Sequence, residues 1–299
     1  MPTYALLGAT GSTGSAVLRY LLEVLPTDLT LNIFVRNEDK LLKAFPGLLS
    51  TKLPTIKIVQ GNPSDQEALL RALENAAVIF QCIATNASKP GVSVAYDTVC
   101  SVTDALDVLQ SGQKEKYRTP FIVQVRAAPL NPTFAAQEPW LMSTFIHFAL
   151  YHTYADTDRA CKYLASMHDK TPALLDYAFV DTFAVFDAEG TTRTGHELTL
   201  TGPLPHAISY ADVGAGFCEI AERCRGAGYR EGEGDAGCEH VLSGCGDQGK
   251  TTWMTELQSA DEDDIVTVIV ERSGVRGPAK RPYWPSISGR SKTVHCSPA

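Results

Sequence analysis

Three glycines at three-residue steps lie near the start of the chain, in the stretch GATGSTG from Gly8 to Gly14. An apolar segment precedes them and an amphipathic segment follows, which predicts a turn between a strand and a helix. Gly8 would permit the tight turn, Gly11 would let the main chain approach a pyrophosphate, and Gly14 would let the helix pack closely on the strand. The spacing therefore predicts a dinucleotide site, and a glycine-rich turn without a ligand is the alternative.

The N–H groups at the start of that helix would face the phosphates, because the first turn of a helix has no internal acceptors for them. The residues expected to contact the cofactor in this turn are Gly8, Thr10, Gly11, Ser12, Thr13 and Gly14.

Arg36 follows the next predicted strand, in LNIFVRN, where a site that prefers NAD carries Asp or Glu. A guanidinium can hold a 2′-phosphate by two parallel hydrogen bonds, with Lys40 assisting, so the sequence predicts NADP(H). A surface arginine without a ligand is the alternative. Asn62, after the third strand, is expected against the adenine, and Cys82 and Ala84, after the fourth, beside the nicotinamide ribose.

No tyrosine is followed by lysine four residues later, so the Tyr-x-x-x-Lys pair of a standard short-chain dehydrogenase is absent. The stretch YHTYADTDRACK offers a substitute, because Tyr154, Asp158 and Lys162 would share one side of a helix. The phenol and the ammonium could then act beside the nicotinamide. A surface ion pair between Asp158 and Lys162, worth about 0.3–0.5 kcal/mol, is the alternative.

Arg126 ends a predicted strand in FIVQVRAAP, at the edge where open α/β sheets bind their ligands. Its guanidinium could hold a phenolate or a carboxylate of a substrate. Asp181 ends the next predicted strand in the same layer, so an ion pair between Arg126 and Asp181 is the alternative. With Tyr154 and Lys162, Arg126 completes the set of predicted catalytic residues.

Six short apolar segments alternate with helical patterns, which is typical of a parallel sheet with crossover helices. The strands are predicted at Tyr4–Leu7, Leu31–Val35, Ile56–Val59, Val78–Ile83, Phe121–Val125 and Tyr177–Val180. Helices are predicted at Val92–Leu109 and Asp158–Met167, and Ser64 with Glu67 matches a capping box. The predicted fold class is α/β, a Rossmann-type doubly wound parallel sheet.

The composition changes after Cys224, because glycines crowd the following segment and Pro, Ser, Gly and basic residues dominate from Arg272 onward. We therefore predict an NAD(P)-binding Rossmann-like domain over residues 1–224 and a small, divergent, glycine-rich substrate-side region over 225–271. Residues 272–299 are predicted to be a disordered tail. Within the middle region, DDIVTVIVE could add one more strand.

The chain has 299 residues and a net charge of −8, and this acidic balance argues against a nucleic-acid partner. Its longest apolar run, TFIHFAL, is too short to span a membrane. Eight cysteines without a CxxC motif are typical of reduced thiols, and no metal site is expected. Because the first strand begins almost at Met1, no cleaved leader is expected, and the predicted location is the cytoplasm.

Several stretches resemble the averufin oxidase A family of fungal oxidoreductases, which are NmrA-like, atypical short-chain dehydrogenases. They are TYALLGATGSTGS, LLKAFPGL, VQVRAAPLNP, YADTDRACKYL, FVDTFAVFDAEGTTRTGHEL and SYADVGAGFCEIA. The resemblance covers about Pro2 to Cys224. It implies an NADP(H)-dependent enzyme of secondary metabolite and mycotoxin biosynthesis. Its substrate would be an aromatic polyketide of the anthraquinone or xanthone type, as in aflatoxin-like pathways, and other enzymes of the pathway would be its partners.

The missing Tyr-x-x-x-Lys pair keeps two other functions open. NmrA-like folds also serve as NADP(H)-sensing regulators without turnover. A redox-neutral dehydratase or isomerase on the same fold would use the pocket for proton transfer alone. Turnover distinguishes the enzyme from the regulator, and oxidation of the nicotinamide during turnover distinguishes the oxidoreductase from the isomerase.

Overall fold

The structure is a computed structural model and describes residues 1–24, 29–50, 55–135, 140–170, 173–199, 207–228 and 267–271. The strands within these ranges are β1 Thr3–Leu7, β2 Thr30–Val35, β3 Thr55–Gln60, β4 Ala76–Gln81, β5 Phe121–Ala127, β6 Asp176–Thr182, β7 Ala184–Phe186, β8 Glu197–Thr199, β9 Ala207–Ser209 and β10 Thr267–Glu271. The helices are α1 Ser12–Val24, α2 Glu38–Ala44, α3 Gln66–Leu73, α4 Val94–Gln113, α5 Pro132–Ala135, α6 Trp140–His168 and α7 Tyr210–Gly228.

Eight of these strands form one sheet in the order β3-β2-β1-β4-β5-β6-β10-β8. Neighbouring strands from β3 to β10 are parallel, and β8 pairs antiparallel with β10. The strand order reverses between β1 and β4, so the carboxyl ends of these strands open a crevice of the kind that holds ligands in α/β sheets. The predicted doubly wound parallel sheet is confirmed, and DDIVTVIVE contributes β10 to it.

The helices α1 and α7 cover one face of the sheet. Val17 and Leu18 of α1 and Phe217 of α7 are fully buried in one apolar cluster, as the apolar stripe of the first helix predicts. The two helices approach closely where α7 carries glycine, because a Cβ on Gly214 would lie 2.6 Å from the carbonyl carbon of Ala16. The last described helix therefore packs directly on the first.

The helices α3, α4 and α6 cover the other face. Asp156 ties α6 to α4, because its buried carboxylate accepts hydrogen bonds from the backbone N–H groups of Ala95 and Tyr96 at 2.9 and 3.0 Å. The first turn of α4 thus takes its cap from another helix. Since α4 begins beyond the carboxyl end of β4, this contact fixes the middle of α6 at the carboxyl edge of the sheet.

Two local predictions differ from the structure. The helix predicted at Asp158–Met167 is only the last part of α6, which begins much earlier in a stretch whose aromatic, polar and aliphatic residues show no single apolar stripe. The capping box predicted at Ser64 and Glu67 is wrong, since Asp65 caps α3 by accepting the Ala68 N–H at 3.1 Å.

The structure describes only part of the C-terminal region for which the sequence made predictions. The predicted boundary at Cys224 falls inside α7, and residues 229–266 and 272–299 lie outside the described residues. The substrate-side region and the disordered tail therefore stay predictions. Within the described ranges, no helix combines the length and the hydropathy that a membrane crossing requires.

Candidate functional site

The glycine stretch forms the turn between β1 and α1. Gly8 has a φ of +88°, a left-handed conformation that favours glycine, and its N–H donates a hydrogen bond to the Phe34 carbonyl at 3.2 Å. A Cβ on Gly8 would lie 3.0 Å from the backbone of Cys82, and a Cβ on Gly14 would lie 2.2 Å from the Gly8 carbonyl oxygen. Both positions require glycine, one for the turn and one for the close start of α1.

Gly11 differs from these two glycines because it faces open space. Its N–H donates to the Gly8 carbonyl at 3.0 Å, and the nearest described atom to a Cβ there would be that carbonyl oxygen, at 3.5 Å. The helix α1 begins at the next residue, so its first N–H groups lie beside the same space. The turn fits a pyrophosphate, and the contacts of Thr10, Ser12 and Thr13 with it stay predictions.

Arg36 and Lys40 follow β2, whose carboxyl end lies beside this turn. Arg36 is exposed and follows β2 two residues after Phe34, whose carbonyl accepts the Gly8 N–H. Asn37 caps α2 by accepting the Lys40 N–H at 2.7 Å. Among the described residues, neither cation forms an ion pair with a carboxylate. Positive charge is therefore available beside the edge where the ribose of a dinucleotide would lie.

Cys82, Ala84 and Asn62 follow strands that end at the same edge. The Cys82 N–H donates to the Leu7 carbonyl at 3.0 Å, which holds the end of β4 against Gly8. Burial raises the pKa of the Cys82 thiol far above its usual value, so the sulfur stays protonated. Ala84 is exposed beyond it, and Asn62 is exposed in the turn after β3.

Arg126 and Asp181 form a buried ion pair at the carboxyl ends of β5 and β6. The Arg126 Nε and Nη2 atoms donate to the two carboxylate oxygens, each at 2.7 Å. Asn131 donates a further hydrogen bond to Asp181 at 2.8 Å. Arg126 is only 5% exposed, so its charge is neutralised within the protein. This is the arrangement that the sequence left open as the alternative to direct substrate binding.

Tyr154 and Lys162, both on α6, differ in their exposure to solvent. Lys162 is 76% exposed and bonds Asp158 at 2.8 Å, which is the surface ion pair that the sequence left open. Tyr154 is half-buried and seven residues from Cys161, so these two residues share a flank of the helix. Cys161 faces the sheet, because its sulfur lies 3.5 Å from the amide nitrogen of Gln124 in β5. Tyr154 therefore lies on the flank that leads to the carboxyl edge, whereas Lys162 lies in solvent.

Three buried polar residues near this edge carry no sequence motif for their roles: Gln124, Asn131 and Asp156. Each forms a hydrogen bond with a residue of an element far along the chain, so the local sequence does not predict these contacts. Asn131 alone had a local signal, because Asn before Pro is typical of a turn.

A cavity of about 170 Å³ lies at the opposite edge of the sheet, lined by residues that include Met1, Thr3 and Asn75. It opens beside the amino ends of β1 and β4 and is therefore separate from the glycine turn. Within the part of the chain that the structure describes, no three His, Cys, Asp or Glu side chains are grouped to hold a metal ion.

Comparison with known proteins relates this arrangement to a family. A family model described as NAD(P)H-binding matches residues 8–223. Averufin oxidase A of Dothistroma septosporum is 47% identical over 228 residues, which cover 75% of this chain and 80% of that protein. This chain belongs to the averufin oxidase family. Averufin oxidase A of Aspergillus flavus is also similar, 42% identical over 223 residues that cover 75% of this chain and 78% of that protein. The family predicted from the sequence is confirmed.

A solved structure shows the same fold. The short-chain dehydrogenase/reductase from Veillonella parvula DSM 2008 in complex with NADP superposes with a TM-score of 0.53 over 91% of this chain and 95% of that one, at 15% identity. Membership of the averufin oxidase family and the match to an NAD(P)H-binding model make this chain an oxidoreductase with a nicotinamide cofactor.

Proposed function

We propose that this oxidoreductase uses NADP(H) to modify an aromatic polyketide of the anthraquinone or xanthone type in fungal secondary metabolite biosynthesis. The observation that carries the proposal is the glycine turn at the reversal of strand order, with Arg36 and Lys40 exposed beside it. The substrate class is supported by the relatives, which are named averufin oxidases.

The residues of the chain offer separate groups for each part of the nucleotide. Gly11 and the first N–H groups of α1 would hold the pyrophosphate, and Arg36 with Lys40 would hold the 2′-phosphate. When bound, the cofactor supplies or accepts the hydride. Glu38 and Asp39 lie in the first turn of α2 and oppose a 2′-phosphate by charge, so the preference for NADP(H) over NAD(H) depends on Arg36.

Tyr154 is the residue that we propose to act on the substrate oxygen. A phenol at the carboxyl edge can donate a hydrogen bond, or a proton, to an oxygen on which negative charge develops during hydride transfer. Its half-buried position on the sheet-facing flank of α6 supports this role. The exposed position of Lys162 gives no support to the ammonium as its partner.

The alternative left open by the sequence is a regulator that binds NADP(H) without turnover, which membership of an oxidoreductase family argues against. One observation favours the regulator. Arg126 is paired with Asp181 and Lys162 is exposed, so of the three predicted catalytic residues only Tyr154 keeps a position suited to contact a substrate. A redox-neutral isomerase would use the same turn for the nucleotide and the same phenol for proton transfer.

The cofactor proposal is tested by titrating the protein with NADPH and with NADH, followed by nucleotide fluorescence. Replacing Arg36 with Ala should weaken NADPH binding about tenfold or more and leave NADH binding nearly unchanged, since only the 2′-phosphate contact is lost. Lys43→Ala, at an exposed position in the last turn of α2, is the matched control and should change neither. Equal losses for both nucleotides in Arg36→Ala would contradict a 2′-phosphate contact.

The reaction is tested by adding an anthraquinone to the NADPH-loaded protein and following nicotinamide absorbance together with the product. Tyr154→Phe should lower kcat about 10²-fold while the Kd for NADPH stays unchanged, because the phenol acts in the transition state. Tight NADPH binding without consumption would favour the regulator. Product formation without nicotinamide oxidation would favour the isomerase.

A further inference from the structure

We propose that Asp212 is a positioning residue for the nicotinamide cofactor, because it holds two segments against α1, the helix that begins at the glycine turn. One segment is the start of α7. The other is the strap, which we define as residues 187–196 between β7 and β8. Together they fix the N–H groups that would hold the pyrophosphate. The proposal concerns any nicotinamide nucleotide and depends neither on the substrate class nor on a preference for NADP(H).

The carboxylate of Asp212 joins the strap to α7. It is buried, and it accepts hydrogen bonds from the Thr194 N–H at 3.0 Å, the Thr194 hydroxyl at 2.6 Å and the Gly195 N–H at 3.1 Å. The Ser209 hydroxyl donates to the same carboxylate at 2.7 Å and accepts the Asp212 N–H at 3.0 Å, which caps the start of α7. Burial acts to raise the pKa of Asp212, but these hydrogen bonds hold it below its usual value, so the carboxylate is charged at neutral pH.

Ala16 of α1 contacts both of the segments that Asp212 joins. In α7, a Cβ on Gly214 would lie 2.6 Å from the Ala16 carbonyl carbon and 2.8 Å from the Val17 nitrogen. In the strap, a Cβ on Gly190 would lie 3.6 Å from the Ala16 Cβ. Ala16 is buried and follows Gly14 by two residues. Two segments that approach Ala16 this closely leave the start of α1 little room to move.

The other described attachments of the strap are more exposed or lie farther from the glycine turn. Arg193 bonds Glu23, near the end of α1, at 2.6 Å, but both side chains are about half exposed, so water screens the pair. His196 bonds Glu219 in the middle of α7 at 3.0 Å, and neither side chain is fully buried. Among the attachments that the structure describes, that of Asp212 is therefore the buried one.

This restraint concerns the cofactor because the N–H groups of a helix start bind a phosphate best when they are already oriented toward it. The Ser15 N–H donates to the Gly11 carbonyl at 2.8 Å, one residue before Ala16. Holding Ala16 in place therefore acts directly on the turn. Because coupling between two sites is reciprocal, a bound nucleotide should in turn hold the strap more firmly.

The first test replaces Asp212 with Asn, which keeps the volume but presents an amide N–H₂ to donors that need an acceptor. The Kd for NADPH and the Kd for NADH should both rise about tenfold, by the same factor, because the two nucleotides share the pyrophosphate. Nucleotide fluorescence measures both. Glu219→Gln is the matched control, since it alters the contact of the strap with α7 at His196 and leaves Asp212 in place. It should leave both Kd values nearly unchanged.

A second variant keeps the carboxylate and so tests the proposal even where Asp212→Asn does not fold. Thr194→Val removes only the hydroxyl that donates to Asp212 at 2.6 Å. Both Kd values should rise about threefold, because one hydrogen bond to the carboxylate is lost while the backbone contacts stay.

Amide hydrogen exchange, followed by mass spectrometry, gives a readout besides affinity. In the wild-type protein, NADPH should slow exchange in the strap. In nucleotide-free Thr194→Val, the first two turns of α1 should exchange faster than in the wild-type protein. The amides of α3, which covers the other face of the sheet, are the internal control and should exchange at the same rate in both proteins.

The inference is overturned if Asp212→Asn lowers the free energy of unfolding in urea but leaves both Kd values and the exchange of α1 unchanged, because Asp212 would then serve the fold alone. It is also overturned if Glu219→Gln raises Kd as much as Asp212→Asn does, or if NADPH leaves exchange in the strap unchanged. A wild-type protein that binds neither nucleotide would overturn this inference together with the proposed function. Tighter binding of NADH than of NADPH would contradict only the proposed preference for NADP(H).

Discussion

The glycine turn and the edge formed by β5 and β6 lie at the same end of the sheet, but they treat charge in opposite ways. At the glycine turn, Gly11 and Arg36 are exposed, and no described carboxylate pairs with the arginine. At the other edge, Arg126 is buried on Asp181. We expect an anion from outside to complete the first region, whereas the charges of the second are already paired within the protein. We therefore expect nucleotide affinity to depend on a few exposed groups around the glycine turn, whereas the pair at β5 and β6 should contribute to the fold.

The largest effect should follow from filling the glycine turn. Gly14→Ala would place a Cβ 2.2 Å from the Gly8 carbonyl oxygen. We expect loss of NADPH binding and a cost of about 1–3 kcal/mol in the free energy of unfolding, because the start of α1 must move. NADPH titration and urea denaturation measure the two. Gly112→Ala, where a Cβ meets no described atom within 4 Å, is the control and should stabilise α4 by about 0.5–1 kcal/mol.

A smaller effect, of a different kind, should follow from a change at the contact between α4 and α6. Asp156→Ala removes the cap of α4 and leaves the buried N–H of Ala95 without its acceptor. We expect a cost of about 1–2 kcal/mol in the free energy of unfolding, measured in urea, with the affinity for NADPH nearly unchanged. A fall in NADPH affinity as large as that expected for Gly14→Ala would mean that the contact between α4 and α6 also determines the shape of the nucleotide site.

The far end of α6 should make stability depend on pH. His168, the last residue of α6, forms a hydrogen bond with Asp176. This bond raises the pKa of His168 from 6.5 to about 9, although burial acts in the opposite direction. The folded protein therefore binds this proton more tightly, so the contribution is complete below pH 6.5 and is lost as the pH rises through about 9. Because the side chain is 42% exposed, we expect a contribution below about 1 kcal/mol.

This contribution is measured as the difference in unfolding free energy between the wild-type protein and His168→Gln across that pH range. The difference should shrink steadily with rising pH. A difference that grows with pH would mean that the neutral form of His168 is the stabilising one.

The smallest effect should come from Lys162→Ala. The ion pair with Asp158 is exposed, so its loss should cost about 0.3–0.5 kcal/mol in the free energy of unfolding and should be insensitive to NADPH. Denaturation at low and high salt measures it. A large fall in turnover at constant NADPH affinity would instead give Lys162 the catalytic role that the sequence predicted.

The same contrast explains what could be predicted from the sequence. The spacing of Gly8 and Gly14 follows from a single strand-turn-helix unit, and the constraint on Gly14 acts between near neighbours, since a Cβ there would meet Gly8 and Ala9. The pairing of Arg126 with Asp181 could also be anticipated as an alternative, since both residues end neighbouring parallel strands and lie opposite each other in register. Contacts of this kind can be predicted once the order of the strands in the sheet is known.

The features that could not be predicted depend on partners far along the chain. Asp156 caps a helix about sixty residues earlier, and no local pattern indicates this contact. The early start of α6 was not predicted because its first half shows no single apolar stripe. Even the short-range capping of α3 was misassigned by one residue, because Ser64 and Asp65 both suit a cap and only the backbone conformation decides between them.

The close crossing of α7 on α1 affects how the chain is made. The apolar stripe of α1, which includes Val17 and Leu18, leaves the ribosome early, but Gly214 and Phe217, which pack on it, are translated about two hundred residues later. Synthesis proceeds at about 5–20 residues per second, so on the order of ten seconds or more pass between the synthesis of α1 and that of α7, which packs on it. During that interval the nascent chain presents an apolar surface to chaperones, and the helix that begins at the nucleotide turn reaches its final packing only near the end of translation.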